Sequence, residues 1–584
     1  MNIIVPKTRK DLTELVIGRW RTARTNMSEN ITKWRYLLEQ YELGTENNLK
    51  RRKDQRGKIT NANENIATVS SSVIWNAVEA ISPRMIDNFD PEGWFSVVPR
   101  PYTNTTLESA NFVENMLQSQ MDECHANEVF PTAVKQAVKL GKSILKLRWD
   151  VEYGNTHDRQ LIFDDYGNIT GEEFVMRPGV VFEGPRIELV PWYNFYPDPK
   201  AYTMSACEYV VEELTMSIRE LTRLADLGFY DKDAIKKLVD SIKRNSLGSD
   251  VVTSDNHVYF QRDSYRNDAR IITYYENERV IHLGTTWGGS SYEGDILNYK
   301  KTDNPYGFIP YVDLATNVDE LKFFPSGVIE SVRDDHAILS TLMQMSLDAG
   351  VMELRPMRAF PKDFGIDIKK LQNYVPNKII EYDYDELVDG TRGFNDFYHE
   401  FKPDPHGFLS TLPQLMGLMM AEAQKKTRVT DYLTGSATTG SNKTARGAAL
   451  LSQNAETGIG VMTHILAMGA TRMLEMMLEM NRMFNYNPQI PQYGKYNFKV
   501  FESSTADEQM RMQTLMWALP IIAQMGGDVV GAVKRVLRIA RVPAVDKLLP
   551  GDGSMDKNKQ EQMAGQVMQM LLNQGQQGGG AQNV

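Results

Sequence analysis

The sequence has only two cysteines in 584 residues, Cys124 and Cys207, and they lack CxxC spacing. That excludes a disulfide framework and a paired-thiolate zinc site, and it suits a reducing compartment. Long apolar runs are missing as well. The most apolar stretch, Ile459 to Ala470, is a dozen residues interrupted by His464, whereas a membrane span needs about 20 apolar residues. The start offers only Ile3, Ile4 and Val5 before Lys7, Arg9, Lys10 and Asp11, which is not a secretory pattern. A soluble protein is expected, without a membrane partner. Excess positive charge is also absent: the formal net charge is −10. Affinity for phosphates comes from clustered Lys and Arg, so a broad basic grip on nucleic acid is not expected.

Catalytic and cofactor signatures fail on spacing or context. Gly435 and Gly440, followed by Lys443 and Thr444, imitate a phosphate loop, but Ser441 and Asn442 separate the second glycine from the lysine. The motif needs Lys directly after that glycine, so that the amine reaches the terminal phosphates. The segment Arg428 to Leu433 before it reads as a helix end, where the motif requires a strand. Asp363-Phe364-Gly365 has no Gly-rich loop or His-Arg-Asp segment before it and reads as a turn. The eight histidines are scattered, with no His-x-x-x-His, so no metal cluster is expected. His336 and His464 read as packed or interface histidines. Asp334-Asp335 read as a solvated face, since adjacent carboxylates on a helix point apart. Glu381, Asp383 and Asp385 alternate as strand neighbours on one face would, but no His or further acid is tied to them by spacing, so they too read as solvated. No Gly-x-Ser-x-Gly elbow exists. The expectation is no enzyme, no cofactor and no metal.

What is present is a long series of elements. At this length several modules are expected. Leu12, Val16, Trp20, Ala23, Met27, Ile31, Trp34, Leu38 and Tyr41 recur at steps of three and four, and Gly44 is placed to end the helix. That predicts about nine turns. The basic run Lys50 to Lys58 follows, a solvated loop or a contact with nucleic acid or an acidic partner. A helix through Ser72 to Phe89 with Pro83, a strand over 94–99 and helical spacing from Leu107 to Gly141 come next, running into strand-like Ile144 to Trp149. Residues 150–215 read as β-hairpins, with a turn signal at Asp165-Tyr166-Gly167-Asn168. Val190 to Pro199, with three prolines, reads as a rigid aromatic loop, because proline brings no ladder donor. Residues 217–247 read as helix, 258–315 as β-rich, and Ser326 to Gly350 as one clean helix carrying His336. Long helices over 407–433 and 444–484 flank the small-residue segment Gly435 to Asn442. Methionines, 30 in all and dense between Met462 and Met483, read as adaptable packing between helices. The stretch 505–549 reads as helix. The tail from Gln562 carries no charge and reads as disordered.

Taken in order, these stations resemble the portal proteins of tailed bacteriophages, most of all those of short-tailed phages. The residues that carry the likeness are Trp34-Arg35-Tyr36 with Tyr41 in the opening helix; Phe130 through Ala137 to Gly141, then Ile144 to Trp149; the aromatic Asp198-Pro199 loop followed by Ala201; and Asn304 to Pro310, then Gly327 opening the helix to Gly350. The resemblance implies an α+β, mainly α, portal fold with wing, stem, clip and helical crown, assembled as a ring. It implies an N-terminal wing over 1–215, stem and clip over 216–350, the C-terminal part of the wing over 351–433, a tunnel loop at 434–446, a long wing helix over 447–500, a crown over 501–550 and a Gln/Gly-rich tail over 551–584. It further implies a non-catalytic subunit at one capsid vertex, met in the host cytoplasm during assembly and in the virion afterwards. Its partners would be further copies of itself (usually twelve in all), double-stranded DNA in the channel, the large terminase subunit, the major capsid or scaffolding protein, and tail adaptors. Asn442, Lys443, Thr444 and Arg446 are the candidate DNA contacts, a sparse basic set that would touch DNA and release it. An acidic total suits a wall past which DNA slides. Another ring-forming tail or adaptor subunit is the alternative, and a nucleotide-dependent enzyme is a third and weaker one.

Overall fold

The computed structural model describes residues 8–43, 69–87, 94–100, 105–163, 169–246, 268–285, 294–354, 357–359, 399–401, 408–427, 445–500 and Val533. They fall into two compact units, one drawn from 1–36, 78–330 and 430–584, the other from 37–77 and 331–429. Helix and strand are mixed, as expected.

The elements follow from local signals. α1 (Arg9–Leu43) buries Val16, Trp20, Ala23, Met27, Ile31, Trp34 and Leu37. The expected stripe holds to Trp34 and then drifts, so that Leu37 and Gln40 are buried in place of Leu38 and Tyr41; a 3.6-residue turn slips against any fixed step. α2 (Val73–Asp87) continues past Pro83, and β1 (Phe95–Pro99) follows. The single helix expected over 107–141 is two, α3 (Leu107–Glu123) and α4 (Ala126–Leu140). The break falls at His125, whose φ of 55° is left-handed. Thr106 and Ser109 form a capping box at the start of α3.

Gly141 (φ 91°) ends α4 and hands the chain to β2 (Lys142–Phe163). β2 forms a long antiparallel hairpin with β3 (Ile169–Val190). The turn signal at 165–168 sits in the interval between them, outside the described residues. β4 (Phe195–Pro197) corrects the all-loop reading of 190–199. It is an edge strand, where a proline is tolerated because no further strand needs its donor.

β5 (Val210–Ser217) leads to α5 (Ile218–Asp226) and α6 (Lys232–Ser246). These replace the one helix expected over 217–247, divided at Gly228 with φ 77°. β6 (Asp268–Tyr275), β7 (Val280–Thr285), β8 (Gly294–Ile296) and β9 (Tyr311–Ala315) complete the β-rich region. The helix expected from Ser326 to Gly350 is α7 (Val328–Ser331) and α8 (Arg333–Leu354). It therefore breaks at Val332 and runs past Gly350. A helical glycine costs only about 1 kcal/mol relative to alanine, which α8 tolerates. The short strands β10 (Met357–Ala359) and β11 (His399–Phe401), α9 (Phe408–Thr427), the 40-residue α10 (Ala445–Phe484) and β12 (Tyr496–Val500) follow.

In the first unit the strands form a three-stranded sheet, β3-β2-β9, and a five-stranded sheet, β4-β5-β6-β7-β8. β1 pairs with β12, joining segments 405 residues apart through Phe95 and Val500. α5 and α6 pack Leu221, Ala225, Ala234, Ile235 and Leu238 on Ala269, Ile271 and Leu297 of the five-stranded sheet and its end. Two glycines let backbones cross. A Cβ on Gly141 would stand 2.2 Å from the Pro325 carbonyl oxygen, and one on Gly327 2.3 Å from that of Lys139. Both crossings need hydrogen in place of a side chain.

Charge is buried between the sheets. Lys146 of β2 meets Glu212 of β5 at 2.5 Å, and Tyr311 of β9 donates to the same carboxylate oxygen at 2.6 Å. The ammonium also lies 5.5 Å and 5.6 Å from the Tyr275 and Tyr311 ring centroids. Burial alone would lower the lysine pKa, yet Tyr275 and Glu212 raise it above the ordinary value. In the second unit α8 and α9 pack together, and Asp335 pairs with Lys426 at 2.8 Å.

Removing one member of a buried pair strands the other in a low dielectric, at a cost of about 3–5 kcal/mol. Lys146→Met is therefore expected to destabilise by about that much in chemical denaturation. Lys146→Met combined with Glu212→Leu should recover most of the loss, and a double variant as unstable as the single one would show that the charges themselves are not at issue.

Candidate functional site

Of the residues proposed from sequence to touch DNA, Arg446 lies in the first turn of α10. Asn442, Lys443 and Thr444 lie outside the described residues, as does the Arg446 side chain. What the structure describes is the rod that leaves this segment and the sheet that carries it.

α10 is held along its C-terminal half. Ile459, Thr463, Leu466, Ala467, Ala470, Met473, Leu474, Met477, Leu478, Met480 and Asn481 are buried. The methionines divide as an adaptable packing set would. Met473, Met477 and Met480 are fully buried, while Met468 and Met483 are about half exposed. His464 is exposed on this chain, so of its two readings, packed or interface, the packed one does not hold.

Three supports fix the rod. At Gly469 a Cβ would stand 2.3 Å from the Asp313 carbonyl oxygen of β9, so the helix backbone lies directly on the strand. The Asp313 carboxylate accepts Lys142 at 2.9 Å and reaches Arg472 at 3.5 Å. Gln120 of α3 and Asn481 exchange side-chain amide hydrogen bonds of 2.7 and 2.8 Å in a buried site. Beyond them Phe484 packs on Trp149, with ring centroids 5.5 Å apart. Sequence reading missed Gly469, Asp313, Arg472, Gln120 and Asn481, since their partners lie 159 and 361 residues away. Only the small Gly469-Ala470 pair in an apolar helix hinted at a close approach.

α1 is strapped to the five-stranded sheet by polar contacts. Trp20 Nε1 donates to Glu213 at 2.7 Å, and Arg270 pairs with the other oxygen of that carboxylate. Arg19 binds Glu276 and the Tyr274 hydroxyl, and its guanidinium lies 4.7 Å from the Tyr209 ring centroid.

The titratable groups describe packing. Burial pushes the Cys124 thiol up to about 11 and the Cys207 thiol to about 12, and a thiol held protonated is a poor nucleophile. Asp335 is buried against Lys426, which corrects its reading as solvated, while Asp334 turns outward to Arg333. His336 is buried as expected, with Nε2 3.3 Å from Ser70 Oγ. Glu381, Asp383, Asp385, Asp363-Phe364-Gly365 and the Lys50–Lys58 run lie outside the described residues. Among the described residues no group of three His, Cys, Asp or Glu side chains is placed to hold a metal, and no helix is long and apolar enough to cross a membrane.

The family model described as phage SU10 portal protein matches residues 166–516. The chain belongs to this family of phage portal proteins, whose namesake comes from a short-tailed phage. The family is structural, a component of the virion and not an enzyme. No curated protein matches the chain.

Burial and the nearby Lys146 ammonium lower the His282 pKa from 6.5 to about 3. The unfolded chain therefore takes up a proton between those values that the folded chain refuses. The resulting stability is present above pH 6.5 and is lost as pH falls toward 3. His282→Gln is expected to flatten the fall in denaturation midpoint between pH 7 and pH 5; an equally steep fall would remove His282 as its source.

Proposed function

We propose that this chain is the subunit of the portal vertex, a ring of twelve copies through which genomic DNA is packaged and later ejected. The observation that carries the reading is the family match over residues 166–516. In this reading residues 1–215 and 351–433 make the wing, 216–350 the stem and clip, 434–446 the tunnel loop, 447–500 the long wing helix, and 501–550 the crown. The ring docks the large terminase subunit during packaging and tail adaptors afterwards, and it sits against the major capsid or scaffolding protein.

The physical chemistry supports each role. A net charge of −10 suits a wall that DNA passes without sticking, because phosphate affinity scales with the cations offered. A 40-residue helix spans about 60 Å, enough to join a loop at the channel to a body remote from it. Lys443 and Arg446 give that loop two cations and no dense patch, which suits transient backbone contact.

Purified protein is expected to sediment as a closed oligomer near twelve-fold, with a central channel in averaged images. A protein that stays monomeric, including when mixed with its capsid partners, would sink the ring. Replacing Lys443 and Arg446 together by Ala should leave ring formation intact and reduce DNA packaging or retention by several-fold. Unchanged packaging would remove both residues from the functional set.

A further inference from the structure

Within the buried C-terminal half of α10, two contacts fix its backbone to neighbouring elements more tightly than apolar packing does. One is the Gln120–Asn481 amide pair, buried and reciprocal. The other is Gly469, whose missing Cβ lets the helix backbone lie on the Asp313 carbonyl. They are 12 residues apart in the helix, about 18 Å at 1.5 Å per residue. From Gly469 the helix runs a further 23 residues to Arg446, about 35 Å. Glycine is a poor helix former, and inside a helix its use is close approach. Gly460 on the same helix has nothing within 4 Å of its would-be Cβ, so the contact at Gly469 is a local feature and not a general looseness of the helix.

We infer that Gly469 is a positioning residue: it sets the tilt of α10 on the β2–β9 edge and, with the Gln120–Asn481 pair as the far anchor, where the start of the helix at Arg446 stands. The inference rests on the proposed DNA-contacting role of 434–446 for its consequence, but not for its geometry. The Asp313 carbonyl belongs to a strand paired with β2, so it cannot retreat without breaking that ladder. An added methyl group must move the helix instead. A displacement of about 1 Å at Gly469, pivoting on Asn481, is magnified about three-fold at Arg446, to about 3 Å, by the ratio of the two arms. The Asp313–Arg472 ion pair, at 3.5 Å and partly exposed, is too weak to hold the helix against that push.

The test is a spin-label distance measurement on the full chain. Labels go at Arg446→Cys paired with Glu128→Cys or, separately, with Lys236→Cys, so that a tilt in any direction registers in one pair. Labelled chain is diluted into unlabelled chain, so that neighbouring copies in an oligomer do not contribute. Cys124 and Cys207 are buried with thiol pKa values of about 11 and about 12, so they stay unlabelled near neutral pH. Gly469→Ala is expected to shift at least one distance by about 3 Å, while Gly460→Ala shifts neither. Unchanged distances in Gly469→Ala overturn the inference, whatever DNA does. If Gly469→Ala does not fold, Gln120→Leu with Asn481→Leu frees the far anchor and should broaden both distance distributions, and unchanged widths are equally fatal. Packaging separates this inference from the reading it builds on. A shift at Arg446 with several-fold weaker DNA retention, not additive with Lys443→Ala and Arg446→Ala, supports both. A shift with packaging normal in all of these variants supports the lever and rejects the loop as a DNA contact.

Discussion

Glu212 and Glu213 are consecutive on β5, both buried, and consecutive strand residues face opposite ways. Each carboxylate therefore needs its own counter-charge on its own side. Glu212 meets Lys146 and the Tyr311 hydroxyl from the three-stranded sheet, while Glu213 meets Arg270 and the Trp20 indole of α1. An unpaired carboxylate in either place would cost several kcal/mol. The three-stranded sheet, the five-stranded sheet and the opening helix are thus tied through one dipeptide. Apolar packing alone would hold these layers together, but it tolerates sliding; a directional ionic contact on each side of β5 admits one register.

A second constraint is steric. Where α4 passes into β2, Gly141 and Gly327 let two backbones cross at distances no side chain permits. Gly469 repeats the device between α10 and β9. β9 and β2 thereby become a common platform: β2 carries the long hairpin and Lys146, β9 carries Asp313 and Tyr311, and α10 lies across β9. Close backbone contacts of this kind, with the buried Gln120–Asn481 pair, hold the C-terminal half of α10 firmly within the first unit.

Several elements were legible in advance because they depend on periodicity. Steps of three and four in α1 predicted its length and most of its buried face. Phe130 through Gly141 and Ile144 through Trp149 predicted a helix handing over to a strand. The breaks were not legible. His125 carries no sequence mark of a left-handed residue, and Gly350, which looks like a terminator, is carried within α8, which runs on to Leu354. Asp335 reads as a surface acid until Lys426, 91 residues later, is brought to it. The supports of α10 were hidden for the same reason, since an amide pair such as Gln120 and Asn481 has no local signature.

The sequence by itself determined the helices and strands with strong hydrophobic periods, the acidic and cysteine-poor character, the failure of each catalytic motif on its spacing or context, and, through the order of its stations, the resemblance to portal proteins. These are properties of short windows or of composition, and short-range sterics and solvation decide them. Only the tertiary structure decided which charges are buried, that Glu212 and Glu213 serve opposite faces, and that Gly141, Gly327 and Gly469 are points where backbones touch. Those facts depend on segments far apart in the chain meeting in space, and no local pattern encodes the meeting.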